Sequence, residues 1–200
     1  VETISATDMT KASATSYTYS WTAPAGDGTQ TFALATGTDA AGNAITAAPT
    51  SGATITVDNT APTAALAYTI SSSAVSTVKQ NDVVTLTATF TEDISDSPVM
   101  QISGSGVETI SAADMTKASA TSYTYSWTVP AGDGTQTFAL ATGTDAAGNA
   151  ITAAPTSGAT ITVDNTAPTA ALAYTISSSA VSTVKQNDVV TLTATFTEDI

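Results

Sequence analysis

The second half of this chain copies the first. Shifted by 106 positions, Val1–Ile94 overlays Val107–Ile200, and only two pairs differ: Thr7 against Ala113 and Ala23 against Val129. An internal period decides the architecture before any local signal does. A period of 106 residues has the length of a whole domain and is too long for a solenoid turn. The chain therefore reads as a tandem array of near-identical domains.

The frame of the array is set by a seven-residue stretch, VDNTAPT, at Val57–Thr63 and again, unchanged, at Val163–Thr169. It reads as the joint between consecutive β-domains. Val57 closes the last strand of one domain, Asp58 and Asn59 sit at the seam, and Ala61 and Pro62 open the next. Proline has a fixed φ and no N–H, so it is tolerated at the first residue of a strand and stiffens a connector. On this frame, residues 1–60 are the C-terminal part of one repeat, 61–166 a complete repeat, and 167–200 the N-terminal part of the next. With no initiator Met, signal peptide or terminal cap, the chain is expected to be a slice of a longer polymer. The alternative is that the incomplete ends of separate chains complement each other head to tail.

Within the complete repeat the apolar residues recur with a period of two, the strand period. Strands are predicted over Thr63–Ile70, with Leu66, Tyr68 and Ile70 on one face, and over Val83–Phe90. In the latter, Val84, Leu86, Ala88 and Phe90 face in, and Thr85, Thr87 and Thr89 face out. Ala74–Val78 is an edge piece, Lys79–Asp82 a polar turn, and Val99–Ser103 and Val107–Ser111 are shorter strands. Asp114–Thr121 lacks firm periodicity and reads as a polar crossing. Ser122–Val129 puts Tyr123, Tyr125, Trp127 and Val129 on one face. Aromatics bury about 150–250 Å² each, so this stripe reads as core in preference to a sugar-binding platform. Thr135–Thr144 and Gly158–Val163 complete the set, with turns at Pro130–Gly134 and Asp145–Asn149. About seven short, closely spaced strands without an amphipathic helix make an all-β, two-sheet sandwich in each repeat.

Composition narrows the function. There is no Cys or His, so neither Ser-His-Asp nor Cys-His catalysis is possible, and there is no disulfide. Adjacent carboxylates such as Glu92 and Asp93 point opposite ways on a strand end, which does not suit paired acid–base work. An enzyme is not expected. Net charge is −13, and residues 61–166 hold nine acids against two lysines. That opposes nucleic-acid binding, which needs a basic surface, and suits a chain that binds cations. No apolar run is long enough to span a membrane. Thr-x-Thr rows reflect strand preference before they suggest an ice-binding face. A Lys–Asn isopeptide bond through Lys79 or Lys117 is a minor alternative.

The TLTATFTED strand and loop, the TDAAGN turn and the VDNTAPT joint, in that order and spacing, resemble the bacterial immunoglobulin-like repeats of large surface adhesins and biofilm-associated proteins. The resemblance covers the whole 106-residue unit. It implies tandem immunoglobulin-like β-sandwiches outside the cell, on a bacterial surface or secreted, that serve as stalks or filaments and are often stiffened by calcium. The joint also resembles the cadherin linker, in which an Asp-Asn pair before Ala-Pro helps hold interdomain calcium, although the fuller acidic linker motif is missing.

In an immunoglobulin-like sandwich, the loops after the second and sixth strands lie at the end where the previous domain arrives. This places Glu92, Asp93, Asp96 and Asp145 near Asp58 and Asn59. The same logic at the second joint selects Asp164, Asn165, Glu198 and Asp199. Converging carboxylates repel, and a calcium ion taking six to eight oxygen ligands would neutralise them and fix the joint. The bland reading is that such acids are solvated and that Asp145 caps its own turn. The function expected is an extender repeat whose partners are neighbouring identical repeats and other copies of the fibre. The alternative is a module that binds a glycan or protein ligand.

Overall fold

The computed structural model describes residues 1–200 and contains strands and turns but no helix. Residues 1–60 carry β1 (Thr10–Lys11), β2 (Tyr17–Thr18), β3 (Gly28–Thr31) and β4 (Thr54–Val57). The central repeat begins with β5 (Ala64–Ile70), β6 (Ser73–Ala74), β7 (Thr77–Val78) and β8 (Val83–Phe90). It continues with β9 (Gln101–Ser105), β10 (Ile110–Asp114), β11 (Thr116–Ser119), β12 (Ser122–Thr128), β13 (Gly134–Thr142) and β14 (Thr160–Val163). Residues 167–200 carry β15 (Ala170–Ile176), β16 (Ser179–Ala180) and β17 (Thr191–Phe196).

The central repeat forms two five-stranded sheets, ordered β11-β12-β8-β5-β6 and β10-β9-β13-β14-β7. The middle of the first sheet is β8, whose Val84, Leu86, Ala88 and Phe90 are buried as the alternation requires. It pairs antiparallel with β5 on one side and β12 on the other, so Leu86 lies opposite both Tyr68 and Tyr125. Leu66, Val84 and Leu86 from this sheet share one core with Ile102, Phe138, Leu140 and Ile161 from the other. Phe138 spans the interface, with its ring centre 5.9 Å from Tyr68 and 5.4 Å from Trp127. The fold is thus all-β and sandwich-like, with a core confined to residues 64–163. Tyr123 and Trp127 are buried in it, so the aromatic stripe is core.

Several elements depart from the sequence reading. Ten strand pieces occupy the central repeat, some only two residues long. Thr77–Val78 crosses to the second sheet and runs parallel to β14, with Thr77 opposite Thr162. Val107–Ser111 is displaced to Ile110–Asp114. Glu108 cannot join a ladder there, because its N–H donates to Gln136 Oε1 at 2.8 Å and its carbonyl accepts from Gln136 Nε2 at 3.0 Å. Gln136 is itself fully buried, so both of its polar groups need those partners. Thr116–Ser119, read as a polar crossing, is the edge strand β11. All four of its residues are exposed, so no alternation marks it.

Backbone closeness explains one glycine. Gly158 has φ +70°, and a Cβ there would sit 1.9 Å from the Leu66 carbonyl oxygen. Leu66 N–H donates to Ser157 O at 3.0 Å and Tyr68 Oη–H donates to Gly158 O at 2.6 Å. The approach to β14 is thereby stitched onto β5, closing one side between the sheets.

The partial repeats provide an internal contrast. Leu66 is 5% exposed and its counterpart Leu172 is 56% exposed; Leu86 is 0% exposed and Leu192 57%. The local sequence is the same, and β15 pairs β17 in the register of β5 with β8. Sheet pairing is therefore local, whereas burial depends on the second sheet.

Candidate functional site

Pairing of β3 with β4 and of β13 with β14 brings each joint to a turn of the preceding repeat. Gly28 pairs with Val57, so Asp27 faces Asp58 one step beyond the ladder. Asn59 N–H donates to Asp27 Oδ1 and Thr60 Oγ1–H to Asp27 Oδ2, both at 2.6 Å. Asn59 Nδ2 donates to Gly26 O at 2.8 Å, and Thr60 N–H to Asp58 Oδ1 at 3.0 Å. The second joint repeats every one of these bonds. Asn165 N–H and Thr166 Oγ1–H donate to the two oxygens of Asp133, Asn165 Nδ2 to Gly132 O, and Thr166 N–H to Asp164 Oδ1. Asn165 Oδ1 also accepts from the N–H of Gln80. The Asp27 carboxyl is held below the ordinary range by the Thr60 hydroxyl and the Asn59 N–H, against a smaller opposing effect of desolvation.

Asp27 and Asp133 were not among the residues expected at the seam. The PAGDG stretch that holds each reads only as a turn. Counting the register of Gly28 against Val57 is the signal that finds Asp27, and it requires knowing that β3 and β4 pair.

On the other side of the first joint, Asp58, Glu92 and Asp145 offer carboxylate oxygens that all lie within 4.8 Å of one another. Asp58 follows β4, Glu92 follows β8, and Asp145 opens the turn after β13. Main-chain contacts and one side-chain hydrogen bond hold the three in place. Ile94 bridges Asp145, and Ser95 N–H donates to Thr144 O at 2.8 Å. Thr91 N–H donates to Thr63 O at 2.9 Å, and Asn149 Nδ2 donates to Asp58 O at 3.0 Å.

Asp145 is buried and caps its own turn. Its Oδ1 accepts from Gly148 N–H at 2.7 Å and Asn149 N–H at 2.9 Å, and its Oδ2 from Asn149 Nδ2 at 2.8 Å. Asp39 makes the Asn43 bonds in the same way with no carboxylates converging on it, so the cap is intrinsic to the DAAGN turn. Burial pushes the Asp145 carboxyl up, and the bonds from Asn149, Gly148 and Ala147 more than reverse it, leaving it below the ordinary range. Glu92 has no such donors. Desolvation first, then the charges of Asp58, Asp145 and Asp27, raise it.

The other expected ligands are placed differently. Asp96 forms an ion pair with Lys117, and Asp93 is exposed; neither joins the three carboxylates. Asn59 is at the seam but spends its side-chain N–H on Gly26 O. At the second joint, Asp164, Glu198 and Asp199 do not form a three-carboxylate group. Lys79 pairs with Asp82, so both lysines considered for an isopeptide bond face carboxylates in place of an asparagine. The donor set at the first joint is all hard oxygen, which fits calcium, and strict octahedral geometry is not imposed by three loops. No protein-family model, curated protein or solved structure matches the chain.

Proposed function

We propose that this chain is an extender: a run of immunoglobulin-like repeats in an extracellular bacterial stalk or filament, with calcium at the joints. The observation that carries the reading is the joint itself. Two joints 106 residues apart are closed by the same three hydrogen bonds, accepted by Asp27 and Gly26 at one and by Asp133 and Gly132 at the other. Each connector is pinned in the same way to the repeat before it, so the chain leaves every repeat in the same direction, and a constant exit direction favours a rod. The strand order supports the immunoglobulin-like assignment, with β5, β8, β12 and β11 in one sheet and β9, β13 and β14 in the other.

Calcium's part in this reading rests on Asp58, Glu92 and Asp145. Glu92 is raised first by desolvation and then by three neighbouring acids, and a divalent cation would relieve the repulsion among them while cross-linking the joint to two loops of the next domain. Asp145 is already oriented by its turn, so one ligand is preorganised. The ligand-binding alternative loses its main support, because Tyr123 and Trp127 are buried at 4% and 2% exposure.

Small-angle scattering of an array of several complete repeats tests the reading. A rod lengthens in proportion to repeat number, whereas a flexible string grows roughly as its square root. Proportional growth in calcium, with shortening in chelator, is expected. Square-root growth under both conditions would sink the extender reading, and proportional growth indifferent to chelator would remove calcium alone.

A further inference from the structure

Asp27 and Asp133, the carboxylates that pin the two joints, share a second property. They alone among the aspartates are followed by glycine. Such a pair carries its own reaction. The glycine nitrogen can attack the aspartate Cγ, because no side chain on the second residue crowds the approach. The closed joint holds both reacting groups in other bonds. Asp133 Oδ1 accepts from Asn165 N–H, and its Oδ2 accepts from Thr166 Oγ1–H at 3.0 Å. On the side of the nucleophile, Phe138 N–H donates to Ala159 O at 2.7 Å, and bonded pairs recur at every second residue of an antiparallel ladder. By that alternation Gly134, opposite Val163, gives its N–H to the Val163 carbonyl. Nothing else shields the turn. Residues 131–134 are exposed to water, and Gly132 at φ +108° and Gly134 at φ +136° give Asp133 freedom to turn once its bonds break.

We propose that Asp133–Gly134 is a site of spontaneous isoaspartate formation, suppressed while the joint is closed and released when it opens. When β13 and β14 part at this end, the Gly134 nitrogen loses its proton to water and attacks Asp133 Cγ. A C–N bond forms, the carboxyl C–O bond breaks and the oxygen leaves as water, giving a five-membered succinimide. Water then adds to one ring carbonyl. Cleavage of the C–N bond at Cγ restores aspartate. Cleavage at the main-chain carbonyl carbon leaves the chain running through Cβ and Cγ. One water leaves and one enters, so the product is an isomer, and no oxidant or cofactor takes part.

Reclosing does not reverse the change. Isoaspartate adds a methylene to the main chain and carries its free carboxylate directly on Cα, so it no longer meets Asn165 N–H and Thr166 Oγ1–H in the old geometry. The converted site marks a joint that has opened and has lost its clamp. Asp27–Gly28 is held in the same way at the first joint, by Asn59, Thr60 and the pairing with Val57. Asp58 and Asp145 are followed by Asn59 and Ala146, whose side chains hinder the attack. The inference concerns the clamp alone and does not depend on calcium.

The test is incubation of the 200-residue chain at neutral pH, folded and in urea. Electron-transfer fragmentation reads isoaspartate at position 133, since it separates isomers of equal mass. Conversion should be at least about tenfold slower in the folded chain, a factor that an opening cost of about 1.4 kcal/mol supplies. Thr166→Val, at an exposed position, removes one of the two donors and keeps the branched shape. Folded, it should convert about 2–12-fold faster than the unaltered chain, the worth of one hydrogen bond; in urea the two should match. Equal rates for the folded and unfolded chain would overturn the proposal. So would a folded Thr166→Val rate no higher than that of the unaltered chain, or isoaspartate arising at Asp82 or Asp145 ahead of Asp133.

Discussion

Leu86→Ala and Leu192→Ala are the same substitution in the same local sequence, and the structure assigns them different costs. Leu86 is 0% exposed, in the middle of its sheet and opposite Tyr68 and Tyr125. Truncation there removes buried methyl groups and leaves a cavity that a two-sided β-core cannot collapse, costing about 2–5 kcal/mol. A domain of this size has only about 5–15 kcal/mol to lose. Its midpoint falls by roughly 4–8 °C per kcal/mol, so a drop of about 8–40 °C follows. Leu192 is 57% exposed, and its truncation should stay within about 0.5 kcal/mol. Urea unfolding followed by far-ultraviolet circular dichroism gives both numbers. Equal losses at the two positions would refute the inference that burial in the core, and not strand sequence, stabilises the central repeat.

Other consequences are checked with similar means. Glu92 titrates above its ordinary value of 4.5 when folded, so the native state holds more protons than the unfolded state above that pH. In chelator, stability should therefore fall as pH rises through this window, and Glu92→Gln should remove the fall and weaken calcium binding in calorimetric titration. Asp27 and Asp145 are lowered below 3.8, so what they contribute is present above that pH and lost as pH falls further. Asp133→Ala should speed amide exchange at Asn165, whose N–H loses its acceptor, and leave Asn59 unchanged. Gln136→Ala should cost about 1–3 kcal/mol in urea unfolding, because the half-buried Glu108 backbone groups lose both partners.

Legibility in the sequence followed periodicity. Val83–Phe90 could be read to the residue because buried aliphatic and Phe side chains alternate with threonine, and the aromatic stripe of Ser122–Thr128 for the same reason. Thr116–Ser119 could not, because an exposed edge strand needs no apolar face. Glu92 and Asp145 were placed near Asp58 by loop order in a sandwich, and there they lie. Asp93 was misplaced because consecutive residues leave a strand on opposite sides. Asp27 and Asp133 escaped notice because their role depends on which strands pair, and pairing is a long-range property. The cap around Asp145 was visible in DAAGN, while the convergence of three acids beside it was not measurable without coordinates.

The claim on which the rest depends is that every joint holds its neighbours at one angle. The chain has no cysteine, so Ser126→Cys in two successive complete repeats would place spin labels at equivalent exposed positions. Pulsed dipolar spectroscopy then reads the distance between them. One narrow distribution in calcium, broadening in chelator, is expected from joints clamped by Asp27 and Asp133 and bridged at Asp58, Glu92 and Asp145. A broad distribution in calcium would contradict it.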